Sequence, residues 1–184
     1  MKKKKVLIVA IVVSMVWLFY EAFYPISDIE QFAEELNGPG GVAEAAEYIQ
    51  TVHIEGTNRY LVFLRTIEGS SRIQYSTFKK APLLNRYEYK GTYSGSNPIT
   101  HQPVQTDQGE YTVLVGENIN RKLDHIEFTL YDEVYQIDVA DEDFFVWYQK
   151  EPGIEEKRTK MWDNVYEMKL FDRNDEELKY EDFE

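Results

Sequence analysis

Residues 51–66 read TVHIEGTNRYLVFLRT, and this stretch decides the fold class of the chain. Before residue 51 the apolar residues recur at helical spacing, whereas from there onward they alternate with a period of two. Gly56, Thr57 and Asn58 separate two such segments, which is the pattern of a β-hairpin. The stretch therefore predicts that helical structure ends here and that an antiparallel sheet begins.

Further strand-like segments follow, and they bring the prediction to about eight strands. The aromatic run 144–148 is predicted as a central strand, and the last strand is expected to direct Tyr166, Met168 and Leu170 inward. Residues 94–109 contain two prolines and are predicted as one long irregular loop. The expected fold is α+β with a mainly antiparallel sheet, and a β-sandwich with a helical preface is the alternative.

Two short helices are predicted before the sheet. Ser27 and Glu30 have the spacing of a capping box, and the first helix is expected to end at Asn37. Residues 38–41 read GPGG and predict a linker. Residues 42–49 place alanine, valine and isoleucine on one helical face, which predicts the second helix.

The N-terminal residues predict a membrane anchor. Four lysines, residues 2–5, precede fifteen residues, 6–20, that carry no charge. Basic residues before an apolar segment stay on the cytoplasmic side. A helix over 6–24 is roughly 28 Å long, which approaches the bilayer's hydrocarbon thickness of about 30 Å. The prediction is a single-pass protein of the cytoplasmic membrane, held in the lipid bilayer by residues 6–24, with the N-terminus inside and the remainder outside.

A cleaved signal peptide is the competing interpretation, because it too combines a basic start with an apolar core. The flank 19–25 reads FYEAFYP and offers no pair of small residues in A-x-A spacing, which favours an uncleaved anchor. The chain contains no cysteine, which excludes a lipid anchor attached through that residue.

The anchor and the change of period together predict the organisation of the chain. About 160 residues follow the anchor, which is the usual size of one domain. The predicted parts are a cytoplasmic basic segment (1–5), a transmembrane anchor (6–24), a helix and linker (25–41), an extracytoplasmic α+β domain (42–178) and an acidic tail (179–184).

The charge distribution restricts the partners. Residues 22–184 contain 16 basic and 32 acidic side chains, which gives a net charge near −16. Nucleic-acid binding requires a basic surface, so it is excluded. The expected partner is a membrane or envelope protein with a basic surface.

The sequence predicts no catalytic residue, metal site or cofactor. His53, His101 and His125 lack the spacing of metal ligands. Residues 172–183 begin like a calcium loop, but glutamate occupies the position that needs glycine, and phenylalanine the position that needs glutamate. A turn that begins at Asp172 explains the same pattern.

Tyrosines are the unusual component of the sequence, with 14 in 184 residues. Tyr87, Tyr89 and Tyr93 alternate along one predicted strand and are expected on one side of it. Together with Tyr111 they surround the predicted loop 94–109, which contains His101. They could form a stacking platform for a sugar or a peptide, although tyrosine is also an ordinary strand residue.

Several short segments carry a family resemblance: VLVGEN (113–118), LDHIEF (123–128), YQI (135–137), DFF (143–145) and LFDRNDEEL (170–178). Their layout resembles that of the small, N-terminally anchored extracytoplasmic proteins of Gram-positive bacteria, most of them uncharacterised. The resemblance covers residues 1–20 and 60–178 in pattern. It implies an exported domain of unknown activity and transfers no catalytic residue.

These observations favour a membrane-anchored extracytoplasmic protein that binds a protein or another envelope component and is not an enzyme. The alternatives are an envelope-polymer hydrolase that acts through a carboxylate or His101, and a secreted protein whose signal peptide is cleaved.

Overall fold

A computed structural model describes residues 2–37, 46–66, 73–95, 97–153 and 166–179. The helices are α1 (Lys2–Phe23) and α2 (Ile29–Asn37), and a short 3-10 segment spans Ile119–Arg121. The strands are β1 (Ala46–His53), β2 (Arg59–Thr66), β3 (Ile73–Lys80), β4 (Tyr87–Ser94), β5 (Ile99–Thr106), β6 (Gly109–Glu117), β7 (His125–Leu130), β8 (Glu133–Asp138), β9 (Phe144–Lys150), β10 (Tyr166–Phe171) and β11 (Glu177–Leu178).

The described strands pair antiparallel throughout, which confirms the predicted sheet type. The described residues form eleven strands, whereas about eight were predicted. The strands form one sheet of order β1-β2-β3-β4, a second of order β11-β10-β7-β8 and a third of order β5-β6-β9. The chain divides into two compact units, residues 1–94 and 95–184.

The first unit is an antiparallel meander with α2 packed on one face. Its β1–β2 turn and β3–β4 loop lie at the same end of the sheet, where the Lys80 N–H donates to the Asn58 carbonyl at 2.8 Å. The hairpin predicted from residues 51–66 is β1–β2, and His53 pairs with Tyr60 beside its turn. The apolar face beneath α2 includes Val62, Leu64 and Phe78.

Two predictions about the helical segment are wrong. Asp28, and not Ser27, caps α2, because its Oδ1 accepts hydrogen bonds from the N–H groups of Glu30 and Gln31 at 3.1 and 3.0 Å. Residues 46–49 belong to β1 instead of a second helix, and residues 42–45 lie outside the described part. Strand β2 is buried, so pairing with β1 satisfies backbone groups that would otherwise lack partners.

The second unit corrects two further predictions. Residues 99–106 of the predicted irregular loop form β5, an edge strand that pairs with β6 along its length. Pro103 lies opposite Thr112, and an edge strand tolerates proline because one of its sides needs no ladder bonds. Strand β9 covers the aromatic run 144–148 but ends the order of its sheet, where β6 is the central strand.

The core of the second unit joins buried residues from six strands, β5 to β10. Ile126, Phe128, Leu130 and Leu170 are buried in it, and Tyr166 and Met168 pack against it, as predicted for the last strand. The side chain of Asn118 is buried among backbone groups. Its amide nitrogen donates to the carbonyls of Leu123 and Val139, and its oxygen accepts the Leu123 N–H, all at 2.8–2.9 Å.

The packing around Gly116 generates a stability prediction. A Cβ at this position would lie 2.4 Å from Cζ of Phe145 and 2.9 Å from Cγ1 of Ile99, and both neighbours are buried. We expect Gly116→Ala to lower the free energy of unfolding by about 1–3 kcal/mol, because a packed core must shift to admit the methyl group. Urea denaturation of the full chain measures this change.

Gly153→Ala is the matched control, since an added Cβ there meets no atom within 4 Å. The control should change the unfolding free energy by less than about 0.5 kcal/mol. Equal unfolding free energies for the two variants would contradict the packing described around Gly116.

Candidate functional site

A cleft in the second unit lies where β5 approaches β7 and β10. Its volume is about 660 Å³. The residues that line it are Asn97, Ile99, Thr100, His101, Gln102, Pro103, Phe128, Tyr166, Glu167 and Met168. The cleft therefore combines an apolar interior with polar groups.

Three rings form the aromatic part of the cleft. The centroid of the His101 ring lies 4.5 Å from that of Tyr166 and 5.7 Å from that of Phe128. The rings of Phe128 and Tyr166 stack with centroids 6.2 Å apart. Burial lowers the pKa of His101 below its ordinary value of 6.5, so the imidazole is neutral at pH 7. A neutral imidazole offers one donor and one acceptor to a ligand.

Tyr166 also connects the cleft to a buried carboxylate. Its hydroxyl donates to Oε1 of Glu151 at 3.3 Å. The same carboxylate accepts hydrogen bonds from the Thr112 hydroxyl at 2.6 Å and from the Tyr131 hydroxyl at 2.8 Å. A buried carboxylate is stable only when hydrogen bonds replace its hydration. These three hydroxyls therefore stabilise Glu151, and Glu151 in turn orients the Tyr166 ring.

The geometry of the cleft suits recognition of a flat ligand. Aromatic faces bind the apolar face of a sugar ring or a planar peptide group. The side-chain amides of Asn97 and Gln102 and the His101 imidazole could then bind the polar edge of that ligand. Among the residues that the structure describes, no three histidine, aspartate or glutamate side chains converge as metal ligands.

The five residues predicted as a binding platform occupy different positions. Tyr87, Tyr89 and Tyr93 lie on β4 of the first unit, whereas His101 and Tyr111 lie on β5 and β6 of the second. Of these five, His101 lines the cleft. The Tyr111 ring packs 6.4 Å from that of Tyr148.

Tyr87 and Tyr89 belong to the packing under α2. The Tyr87 ring lies 5.4 Å from that of Tyr60, and the Tyr89 ring lies 5.6 Å from that of Phe32. Tyr87 is itself part of the buried cluster, and Tyr89 packs against it. Core packing is therefore the role that the structure shows for these two tyrosines.

The prediction that Tyr93 shares a face with Tyr87 and Tyr89 is wrong. A one-residue irregularity at Lys90 lets Tyr89 pair with Phe78 and Gly91 with Thr77, which shifts the alternation of β4. Gly91 adopts a φ of 143°, a conformation that favours glycine. Tyr93 consequently stacks on the buried Tyr75 with centroids 5.2 Å apart, on the opposite face, and is 41% exposed.

Sequence reasoning missed Phe128, Tyr166 and Glu151 as members of the site. The alternation of residues along the last strand predicted the inward position of Tyr166. It could not predict that Tyr166 lies near His101, because 65 positions separate the two residues. Glu151 comes directly after β9, which ends at Lys150. A carboxylate that immediately follows a strand gives no sequence signal for burial.

Helix α1 is the second feature of functional interest. Val6–Phe23 is long and apolar enough to cross a membrane, and little of it is buried. Both membrane anchors and signal sequences have these properties. Its C-terminal end packs on the first unit, where Tyr20 and Tyr24 form a buried cluster with Ala81. This contact makes the end of α1 part of the folded unit.

Arg86 fixes this contact. Its guanidinium pairs with the Glu21 carboxylate, and its Nη1 donates to the Pro25 carbonyl at 3.1 Å. The guanidinium also lies 5.7 Å from the centre of the Trp17 ring, which is cation–π geometry.

The turn predicted at Asp172 is present. Oδ1 of Asp172 accepts hydrogen bonds from the N–H groups of Asn174 and Glu176 at 2.8 and 2.9 Å. These N–H groups lower the pKa of Asp172. The turn connects β10 to β11, so Asp172 has a structural role here.

No family model, curated protein or solved structure matches this chain.

The environment of Glu151 generates a prediction for Thr112→Val. The change removes the hydroxyl that donates to Glu151 at 2.6 Å and keeps the shape of the side chain. We expect the free energy of unfolding to fall by about 1–3 kcal/mol, because a buried acceptor loses a partner. Thr129→Val, at a half-buried threonine of β7, is the control and should change it by less than about 0.5 kcal/mol. Similar losses in both variants would contradict the role of Thr112.

The lowered pKa of His101 predicts a pH dependence of stability. As the pH falls through 6.5, the unfolded chain binds a proton at His101 that the folded chain resists, so folding loses stability. His101→Phe cannot bind that proton. We therefore expect the wild-type protein to lose more stability than His101→Phe between pH 7.5 and pH 5.5 in urea titrations. Parallel losses in the two proteins would contradict burial of this imidazole.

Proposed function

We propose that the chain is a single-pass membrane protein of the cell envelope whose extracytoplasmic part binds a ligand and catalyses no reaction. This proposal extends the resemblance to anchored extracytoplasmic proteins of Gram-positive bacteria. The observation that carries it is the packing of the end of α1 on the first unit through Tyr20, Tyr24 and Arg86.

The packed end of α1 supports an uncleaved anchor over a cleaved signal peptide. Tyr20 and Tyr24 are buried against Ala81, and Ile26 bridges to Tyr87 of β4. Cleavage between residues 21 and 25 would remove Tyr20 from this cluster and would separate Arg86 from Glu21. A signal peptide is discarded, so a folded domain gains nothing from packing against its end.

The charges support the orientation. The lysines at 2–5 favour a cytoplasmic N-terminus, and the unit that follows α1 then lies outside. The net charge near −16 over residues 22–184 disfavours broad contact with anionic lipid and favours partners with basic surfaces.

The cleft supports a ligand-binding role. Its volume of about 660 Å³ lies within the range of about 300–1,000 Å³ typical of small-ligand sites. Its three aromatic rings and its amide groups favour a sugar or a short peptide segment as the ligand. The hydrolase alternative has less support, because both oxygens of Glu151 already accept hydrogen bonds from buried or half-buried hydroxyls.

Labelling of introduced cysteines tests the topology, because the native chain has none. Gln108→Cys lies in the exposed β5–β6 turn, and Lys2→Cys lies before the apolar segment. In intact protoplasts, a membrane-impermeant maleimide should label Gln108→Cys, and it should label Lys2→Cys only after permeabilisation. The reverse pattern would contradict the orientation, and loss of the N-terminal segment from the mature protein would contradict the anchor.

Binding measurements on the full chain in detergent test the cleft. Calorimetry with wall-derived oligosaccharides and with basic peptides should identify a ligand whose affinity falls about tenfold in His101→Ala, the usual effect of losing one stacking contact. Gln105→Ala, on the same edge strand but outside the cleft lining, is the matched control and should bind normally. Turnover of any tested polymer, abolished by His101→Ala, would replace the binding proposal with the hydrolase alternative.

A further inference from the structure

The loop between β3 and β4 exposes two adjacent leucines. Residues 81–86 read APLLNR, and Leu83 and Leu84 are 83% and 37% exposed. Single exposed leucines are common on protein surfaces, so their exposure alone has no functional meaning. The position of this loop relative to α1 distinguishes it from an ordinary surface loop.

Both ends of the loop are fixed to the C-terminal end of α1. Ala81 lies in the buried cluster with Tyr20 and Tyr24, and its N–H donates to the Arg86 carbonyl at 2.8 Å, which closes the loop. Arg86 contacts Glu21, Pro25 and Trp17, as described above. Leu83 and Leu84 therefore lie in a loop held beside residues 17–25, where the anchor ends.

The length of the anchor sets the depth of the loop. Val6–Phe23 has 18 residues, which as a helix cover about 27 Å, against a hydrocarbon core of about 30 Å. Trp17 and Tyr20 then fall near the outer boundary of the hydrocarbon, where tryptophan and tyrosine are enriched. A loop held at the same level is in lipid and not in bulk water.

We propose that Leu83 and Leu84 insert into the membrane leaflet in which α1 ends, so that the β3–β4 loop is a second lipid contact beside the anchor. The two leucines contact lipid at the boundary between the head groups and the acyl chains. The inference rests on the proposed membrane anchoring. A single spanning helix leaves the first unit free to rotate about the axis of α1. A second lipid contact through the β3–β4 loop restricts this rotation.

The charges around the loop agree with this depth. Arg86 is paired with Glu21, so the cation next to the leucines is neutralised at the boundary of the bilayer. Its half-buried guanidinium lies against an aromatic ring of the anchor. Amphipathic elements bind lipid in this arrangement, with apolar side chains inserted and charged groups at head-group level.

Depth-dependent quenching tests the proposal on the full chain reconstituted in vesicles of phosphatidylcholine and phosphatidylglycerol. Single cysteines carry an environment-sensitive dye in three variants: Leu83→Cys in the loop, Val12→Cys within α1, and Glu47→Cys on β1. Glu47 is exposed at the opposite end of the same sheet, since it pairs with Arg65 away from the β3–β4 loop. The quenchers are lipids with spin labels at the head group or along the acyl chain.

We expect shallow spin labels to quench Leu83→Cys several-fold more than Glu47→Cys, and deep labels to quench Val12→Cys most. Leu83 is exposed, so its replacement removes little packing and the variant should fold. Quenching of Leu83→Cys no greater than that of Glu47→Cys, with Val12→Cys still quenched, would overturn the lipid contact and leave the anchor intact.

Other outcomes separate the two proposals further. Absence of quenching at both Val12 and Leu83 would overturn the anchoring itself. Protection of Leu83→Cys from both spin-labelled lipids and a water-soluble quencher would show that protein covers the loop, either a partner or a second copy, and would overturn the lipid contact.

Discussion

The contacts of one guanidinium determine how the apolar helix α1 joins the rest of the first unit. Arg86 lies on the loop that precedes β4, yet it contacts a carboxylate, a carbonyl and a ring supplied by residues 17–25. A partly exposed ion pair contributes little to stability, so the importance of Arg86 is geometric. It holds the loop against the helix, while Tyr20 and Tyr24 bury the apolar part of the same contact.

This junction lies at one end of the meander. Antiparallel meanders place alternate turns at the same end of the sheet, and here the β1–β2 turn and the β3–β4 loop share the end to which α1 is attached. Strand β4 ends at Ser94 at the opposite end, so the chain leaves the first unit at the end remote from the contact with α1. A strand of eight residues spans roughly 25 Å. The contact with α1 and the end of β4 therefore lie at opposite ends of this sheet.

Local patterns predicted the features that depend on near neighbours in sequence. The apolar segment 6–24, the hairpin over 51–66 and the inward face of β10 all follow from period and turn chemistry. The predictions that failed depend on distant partners. Residues 46–49 have helical periodicity but belong to β1, which pairs with β2, and residues 99–106 contain a proline but pair with β6. Pairing between strands outweighed local propensity in both places.

The candidate site was the least predictable part, and the reason is the same. A single irregularity at Lys90 moves Tyr93 to the other face of β4. Strict alternation along the sequence therefore placed Tyr93 on the wrong face, together with Tyr87 and Tyr89. His101, Phe128 and Tyr166 come from three strands of two different sheets, and no spacing in the sequence encodes their approach. Glu151 is linked to these rings through the Tyr166 hydroxyl. A buried carboxylate held by hydroxyls constrains the Tyr166 ring, and a ring fixed in this way loses little conformational entropy when a ligand stacks on it. The fixed orientation of the Tyr166 ring is therefore the strongest physical reason to regard this cleft as a candidate binding site.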